Sequence, residues 1–381
     1  SRSVIMGGSA LEMETERASP QHYLNVYVQV QRRLQSEWPK AVTYLPRKHR
    51  FKQDHGDLDL LVRRDTVDLT RDWVKSAFEV DEVVVNDGVW TFGVELEVPS
   101  SDTSETSALQ VDLVTKRRKH WEMSKAFYDF GGLGNLMGKV ARWLRYKWGF
   151  QGLRMPVYRD PKGERSVKYG EYVLTRDPQK AFEFLGFDYE RFQRGFQDMT
   201  EIFEYVRSSD HFCKEPFMPE NMTADQKQRD RKRPVWDQFK NYLRDLERLG
   251  ELPSKPESRP TQEEAVKRAK EAFPQSELHM RLEEDKRHME LREKAKKTWT
   301  GRVPMEEFGV KGRELGQMLE NFYETFTNER RRYEWLVQNS REEALERFKW
   351  ANSDHFDQVD ERKARGSSNP KQSLHQDAFY L

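Results

Sequence analysis

Three aspartates are the residues of this chain whose types and spacing best suit chemistry. Asp57 and Asp59 stand two apart in Gly56-Asp57-Leu58-Asp59-Leu60-Leu61-Val62, and Asp112 stands in Gln110-Val111-Asp112-Leu113-Val114. Both runs read as strands. Side chains at i and i+2 of a strand share a face, so Asp57 and Asp59 project together while Leu58 and Leu60 turn into a core. Two adjacent carboxylates repel, and burying them without a partner is costly. A divalent cation removes that conflict. If the two strands are neighbours, Asp112 reaches the same point. Three carboxylates are the hard oxygen donors that Mg²⁺ or Mn²⁺ prefers, with room left for water and phosphate. An Asp-x-Asp pair alone is equally the mark of a solvated turn; the second acidic strand is what gives it weight.

The surrounding elements have to position these residues. Residues 22–38 carry Tyr23, Tyr27, Val30, Leu34 and Trp38 at helical spacing, with Leu24 and Val28 widening the apolar face and Pro20 at the start. Residues 41–45 lean to β. Residues 67–80 read as a helix, and 82–85 and 89–94 as a hairpin around Asn86-Asp87-Gly88. Residues 4–6 form a short candidate strand running into Gly7-Gly8-Ser9, and 99–107 a polar loop. This order predicts an α/β domain with a mixed β-sheet. A largely α-helical C-terminal region follows. Helices are expected over 135–148, 178–185, 189–206 and 234–249, one long charged helix over 263–297, and further helix over 308–350. The expected organisation is a catalytic domain over 1–150, a helical domain over 151–251, and a linker with the charged helix over 252–300. A helical segment over 301–352 and a tail over 353–381 complete it.

The acidic strands and their flanks resemble the DNA polymerase β-like nucleotidyltransferase superfamily, in particular its family-X polymerases. The resemblance rests on Arg50-Phe51-Lys52 ahead of Gly56-Asp57-Leu58-Asp59, on Val111-Asp112-Leu113-Val114, and on Tyr128-Asp129-Phe130-Gly131-Gly132 with Asn135 following. It spans roughly residues 40 to 155. It implies a nucleotidyltransferase palm in which Asp57, Asp59 and Asp112 hold two Mg²⁺ (or Mn²⁺) ions. It further implies that Arg50 and Lys52 contact the triphosphate, and that Gly131, Gly132 and Asn135 contact the incoming nucleotide. The chain departs from the family pattern at one place. The family's Gly-Ser before the basic loop falls at Pro46-Arg47 here, and Gly8-Ser9 upstream is the displaced candidate for the phosphate site.

Other residues point to a nucleic-acid acceptor. The basic run Lys116-Arg117-Arg118 directly follows the third aspartate's strand, and Lys139 and Arg142 recur among Trp143, Tyr146 and Trp148. Charge for phosphates and rings for stacking are what single strands require, although such tryptophans are more often core. Lys311 and Arg313, in Gly309-Val310-Lys311-Gly312-Arg313-Glu314-Leu315-Gly316, are faintly similar to a tail motif of tRNA nucleotidyltransferases. The expected activity is addition of nucleotides from a triphosphate such as ATP to a 3′ hydroxyl, on RNA or a tRNA-like acceptor. Two alternatives stay open: transfer to a protein or small molecule, and a non-catalytic relative serving as a binding or scaffold subunit.

Composition sets the outer bounds. Lys plus Arg number 66 and Asp plus Glu 65, so net charge is silent about partners and only local clusters speak. Charged residues at 34% and a mean hydropathy of −0.98 fit a folded core with charge-laced helices, through which a protein partner could dock. The single Cys213 excludes an intramolecular disulfide and a cysteine zinc cage, and suits an intracellular, reducing compartment. No apolar run approaches the roughly 20 residues of a membrane span, so no membrane partner is expected.

Overall fold

The computed structural model describes residues 11–13, 15–96, 108–159, 167–231, 234–252 and 258–359. Gly8 and Ser9, the candidate strand at 4–6, the loop at 99–107 and the tail beyond 359 lie outside the described residues. The chain divides into two compact units, Ser1–Met280 and Arg281–Leu381.

The first unit opens with α1 (Pro20–Glu37), β1 (Thr43–Tyr44), β2 (Asp57–Arg63), α2 (Arg71–Phe78), β3 (Val84–Asn86), β4 (Val89–Glu95) and β5 (Ala108–Lys116). Ser19 caps α1, accepting from the His22 N–H at 3.3 Å, and Pro20 fills the first turn, where its missing donor costs nothing. The buried stripe of α1 is Tyr23, Val26, Val30 and Leu34. Leu24 and Val28, expected to widen that face, are exposed. The strands form one mixed sheet in the order β1-β2-β5-β4-β3. β2 and β5 are parallel, and the other pairs are antiparallel. The hairpin turn places Asp87 at φ 45° and Gly88 at φ 77°, the left-handed pair that a two-residue loop demands.

Alternation divides the sheet into two faces. Leu58, Leu60 and Val62 of β2, with Val111 and Leu113 of β5 and Phe92 of β4, are fully buried in a core shared with α1 and α2. The opposite face carries Asp57, Asp59 and Asp112, followed by Leu61 and Val114, which pack under Trp121 and Tyr128.

Then come α3 (Trp121–Tyr128), α4 (Leu133–Trp143), β6 (Leu153–Tyr158), β7 (Lys168–Thr175), α5 (Pro178–Phe184), α6 (Tyr189–Arg194), α7 (Met199–Arg207), α8 (Ala224–Arg231) and α9 (Pro234–Arg248). β6 and β7 form a separate antiparallel hairpin in a region where only helices were expected. The helix expected over 189–206 is broken at Gly195, whose φ of 85° no helix accommodates.

The long charged helix expected over 263–297 is also two helices, α10 (Gln262–Ala272) and α11 (Glu277–Thr298), parted at Phe273-Pro274. Proline cannot donate to the preceding turn and disfavours helix in the residue before it. These helices are not purely solvated, for Ala265, Ala269, Leu278, Leu282 and Ala295 are buried.

In the second unit, α12 (Arg302–Phe308), α13 (Gly312–Glu324), α14 (Glu329–Gln338) and α15 (Arg341–Ala351) follow the end of α11. They enclose a core built on Trp299, Met318, Phe322, Leu336 and Phe348. The overall class is therefore α/β with a mixed five-stranded sheet and a helical C-terminal region. Among the described residues, no helix is long and apolar enough to cross a membrane.

Candidate metal centre

β2 and β5 bring the two acidic runs side by side. Asp59 lies opposite Asp112 and Asp57 opposite Gln110. Neighbouring strands are about 4.8 Å apart, and residues two apart along a strand about 6.6 Å, so the three Asp backbones occupy one small patch. β4 closes the other side with Thr91 opposite Asp112. The Thr91 hydroxyl donates to Asp112 Oδ1 at 2.6 Å, and Gln110 Nε2 donates to both Asp112 oxygens at 3.3 and 3.2 Å. All three aspartates are partly exposed. Among the described residues, no three His, Cys, Asp or Glu side chains form a group able to hold a metal ion as they stand. The positions are gathered, while Asp112 is engaged by its strand neighbours.

The electrostatics of the patch follow from its burial and its neighbouring charges. Burial pushes the Asp59 carboxyl up to about 6, the charges of Asp57 and Asp112 add to the rise, and Lys48 and Lys52 oppose it. Asp112 is raised by burial and by Asp57, against the hydrogen bonds from Thr91 and Gln110. Negative charge is thus held closer than water and two lysines compensate. Oxygen-only donors with surplus negative charge fit a hard divalent cation.

Several residues around the patch were not singled out from the sequence as site residues. Lys48 is the cation acting most strongly on Asp59. Its signal was present in the run Arg47-Lys48-His49-Arg50, where sequence cannot say which side chain turns inward. Tyr128 is pushed up to about 12 by burial and then by Asp59 and Asp112, and Tyr23 is raised by burial and then by Asp59 and Asp57. The two phenols therefore flank the carboxylates. Tyr23 stacks on His55 with ring centroids 3.9 Å apart. Burial, then Lys52 and Lys48, pushes His55 down to about 4, so the ring is neutral at pH 7. Burial, with Lys48 beside it and Asp57 opposing, pushes Lys52 down to about 8.

A latch joins the basic loop to the glycine turn. Asp129, 2% exposed, accepts the Arg47 N–H at 2.8 Å, Arg47 Nε at 2.7 Å and the Tyr44 hydroxyl at 2.9 Å. The Arg47 guanidinium lies over the rings of Phe130 and Phe192 at 4.7 and 4.8 Å. Phe130, at φ 58°, returns its N–H to the Arg47 carbonyl at 2.6 Å. Arg47 thus serves as a clamp between the two segments. The glycines divide their roles. A Cβ on Gly131, at φ 61°, would meet open space, whereas one on Gly132 would lie 2.8 Å from Val235. Gly132 is needed for packing against α9, and Gly131 is the one open to a ligand.

The remaining candidates scatter. Arg50 is exposed, its N–H bonded to the Phe196 carbonyl at 3.0 Å. Lys116 is buried, with Nζ 3.9 Å from the Phe150 ring centroid, while Arg117 and Arg118 are exposed beyond it. Lys139 is buried and paired with Asp230 at 2.8 Å. Asn135 and Arg142 line a cavity along α4. Lys311 and Arg313 are exposed at the start of α13 in the second unit. No known family model matches this chain, and no curated protein is similar to it.

Proposed function

We propose that the chain is a metal-dependent nucleotidyltransferase with a polymerase β-like palm, transferring a nucleotide from a nucleoside triphosphate to a nucleic-acid 3′ hydroxyl. The observation that carries this reading is the in-register pairing of Asp59 with Asp112 on parallel strands, with Asp57 on the same face. Asp57, Asp59 and Asp112 would hold two Mg²⁺ ions, which when bound supply charge neutralisation for phosphates and activation of an acceptor hydroxyl.

The protein's own residues have defined parts. Thr91 and Gln110 hold the Asp112 carboxylate in one orientation. Lys48 and Lys52, on the basic loop, balance a triphosphate's charge beside the aspartates. The latch at Asp129 keeps that loop against the turn, where Gly131 leaves room for the nucleotide's sugar and base.

The test is incubation with labelled nucleoside triphosphates, Mg²⁺, and RNA and DNA oligonucleotides. Mg²⁺-dependent extension that disappears in Asp59→Asn is the expected result. Label appearing on protein or on a small molecule would replace the acceptor in this reading, and no incorporation under any arm would overturn it.

A further inference from the structure

The chain ahead of α1 is fastened across the starts of the two acidic strands. Thr15 bridges Ala108, the first residue of β5, and Ala18 bridges His55, two residues before Asp57. The Glu16 N–H donates to the Ala108 carbonyl at 2.8 Å. Ala18 and His55 exchange both of their backbone bonds, at 2.8 and 2.9 Å. Further back, the Glu12 N–H donates to the Glu82 carboxylate at 3.0 Å. Met13 lies so close to β4 that a Cβ on Gly93 would stand 2.4 Å from its sulfur. Arg17 sits between the two anchored bridges, so its backbone is fixed where β2 begins.

That position is beside the carboxylate patch. Arg17 grips Asp54 with Nε at 2.5 Å and Nη2 at 3.0 Å, which leaves Nη1 outside the fork. The guanidinium is held charged by its bond to Asp54 and, more weakly, by the charge of Asp57. Lys52, lowered chiefly by burial, also feels Lys48 and then Arg17. Arg17, Lys48 and Lys52 are thus three cations gathered around Asp57 and Asp59. The pair of Arg17 with Asp54 is open to water, the two side chains being 32% and 57% exposed. An ion pair so exposed contributes little and is easily exchanged. A guanidinium is a planar fork that fits two oxygens of a carboxylate or of a phosphate alike. Asp54 occupies that fork while no phosphate is present.

We propose that Arg17 is a further triphosphate-binding residue, turning from Asp54 to the terminal phosphates of the nucleoside triphosphate. This rests on the nucleotidyltransferase reading and deepens it. The segment ahead of α1 supplies a cation that the basic loop does not carry, and its backbone bonds to both acidic strands hold that cation in place.

The experiment is calorimetric titration of the full chain in Mg²⁺ with ATP, CTP, GTP and UTP in turn, continued with whichever binds tightest. The expected result is that Arg17→Met weakens that triphosphate about tenfold, while Arg17→Lys, which keeps the charge, recovers part of the loss. Asp54→Asn breaks the same ion pair, yet should not weaken binding, because it frees the guanidinium. In wild-type protein the ¹⁵Nε–¹H resonance of Arg17 should shift on titration, a readout that needs no variant, and thermal melts confirm that each variant is folded. If the pair were merely structural, Arg17→Met and Asp54→Asn would weaken binding alike, and that result would overturn the proposal. Equal affinity in wild type and Arg17→Met would also overturn it, and would leave the nucleotidyltransferase reading standing. Wild-type protein that binds none of the four triphosphates would overturn both.

Discussion

The two faces of the β2–β5 pair share one backbone and one ladder of hydrogen bonds, yet they have opposite energetics. On one face Leu58, Leu60, Val111 and Leu113 are completely removed from water. Each such side chain contributes about 1.5–3 kcal/mol of burial. On the other face Asp57, Asp59 and Asp112 lie together, and burial, with the neighbouring like charges adding to it, raises the Asp59 and Asp112 carboxyls. The contrast teaches that the apolar face supplies the stability that lets the acidic face stay strained. The acids are tolerated because of what lies beneath them.

Substitutions on each face should separate these roles. The largest expected effect is Asp59→Asn, which should reduce Mg²⁺-dependent nucleotide incorporation at least about a thousandfold. In EDTA at pH 8 the same change should raise the melting temperature, because it removes a charge that burial and then its acidic neighbours disfavour. A fall in both would mean that Asp59 is structural. Leu60→Ala on the opposite face should do the converse. It should cost about 2–5 kcal/mol in denaturant unfolding while leaving incorporation per folded molecule within a few-fold of wild type.

The next effect is on pH dependence. The folded-state carboxyl of Asp59 at about 6 lies above its ordinary 3.8. A raised carboxyl favours the folded state fully below about 3.8, and that contribution is lost as pH rises through about 6. In EDTA, wild-type stability relative to Asp59→Asn should therefore fall between pH 4 and 7, by up to about 3 kcal/mol. Saturating Mg²⁺ should reverse the loss. Equal pH profiles for the two proteins would rule out the raised Asp59 carboxyl described above. Smaller again, Lys48→Met should raise the KM for the triphosphate about tenfold, with kcat changed less. A Thr91→Val change removes one hydroxyl from Asp112 and should cost only about 1 kcal/mol, read in the same unfolding assay.

Local patterns account for what the sequence made legible. Asp-Leu-Asp-Leu has the two-residue period of a strand with unlike faces, and Asn86-Asp87-Gly88 names its own turn. The strand pairing and the mixed sheet followed from them. The β6–β7 hairpin was missed although Leu153, Met155 and Val157 alternate, because Pro156 sits within that short run and masks the period. The basic loop was visible as composition, but Lys48 stands out from its neighbours only once the chain is folded. Tyr23 read as a core residue of α1, and nothing local tells that its hydroxyl meets the field of Asp57 and Asp59. The Arg47–Asp129 latch joins residues 82 apart in the chain. No period or spacing records such a contact.

That latch governs how the site can open. With three donors converging on one buried carboxylate, the segment bearing Lys48 and Lys52 is tethered to the segment bearing Tyr128 and Gly131. Neither can swing alone without stranding Asp129 as an uncompensated buried anion. Any opening of this part of the molecule must therefore carry both segments together as a single rigid body.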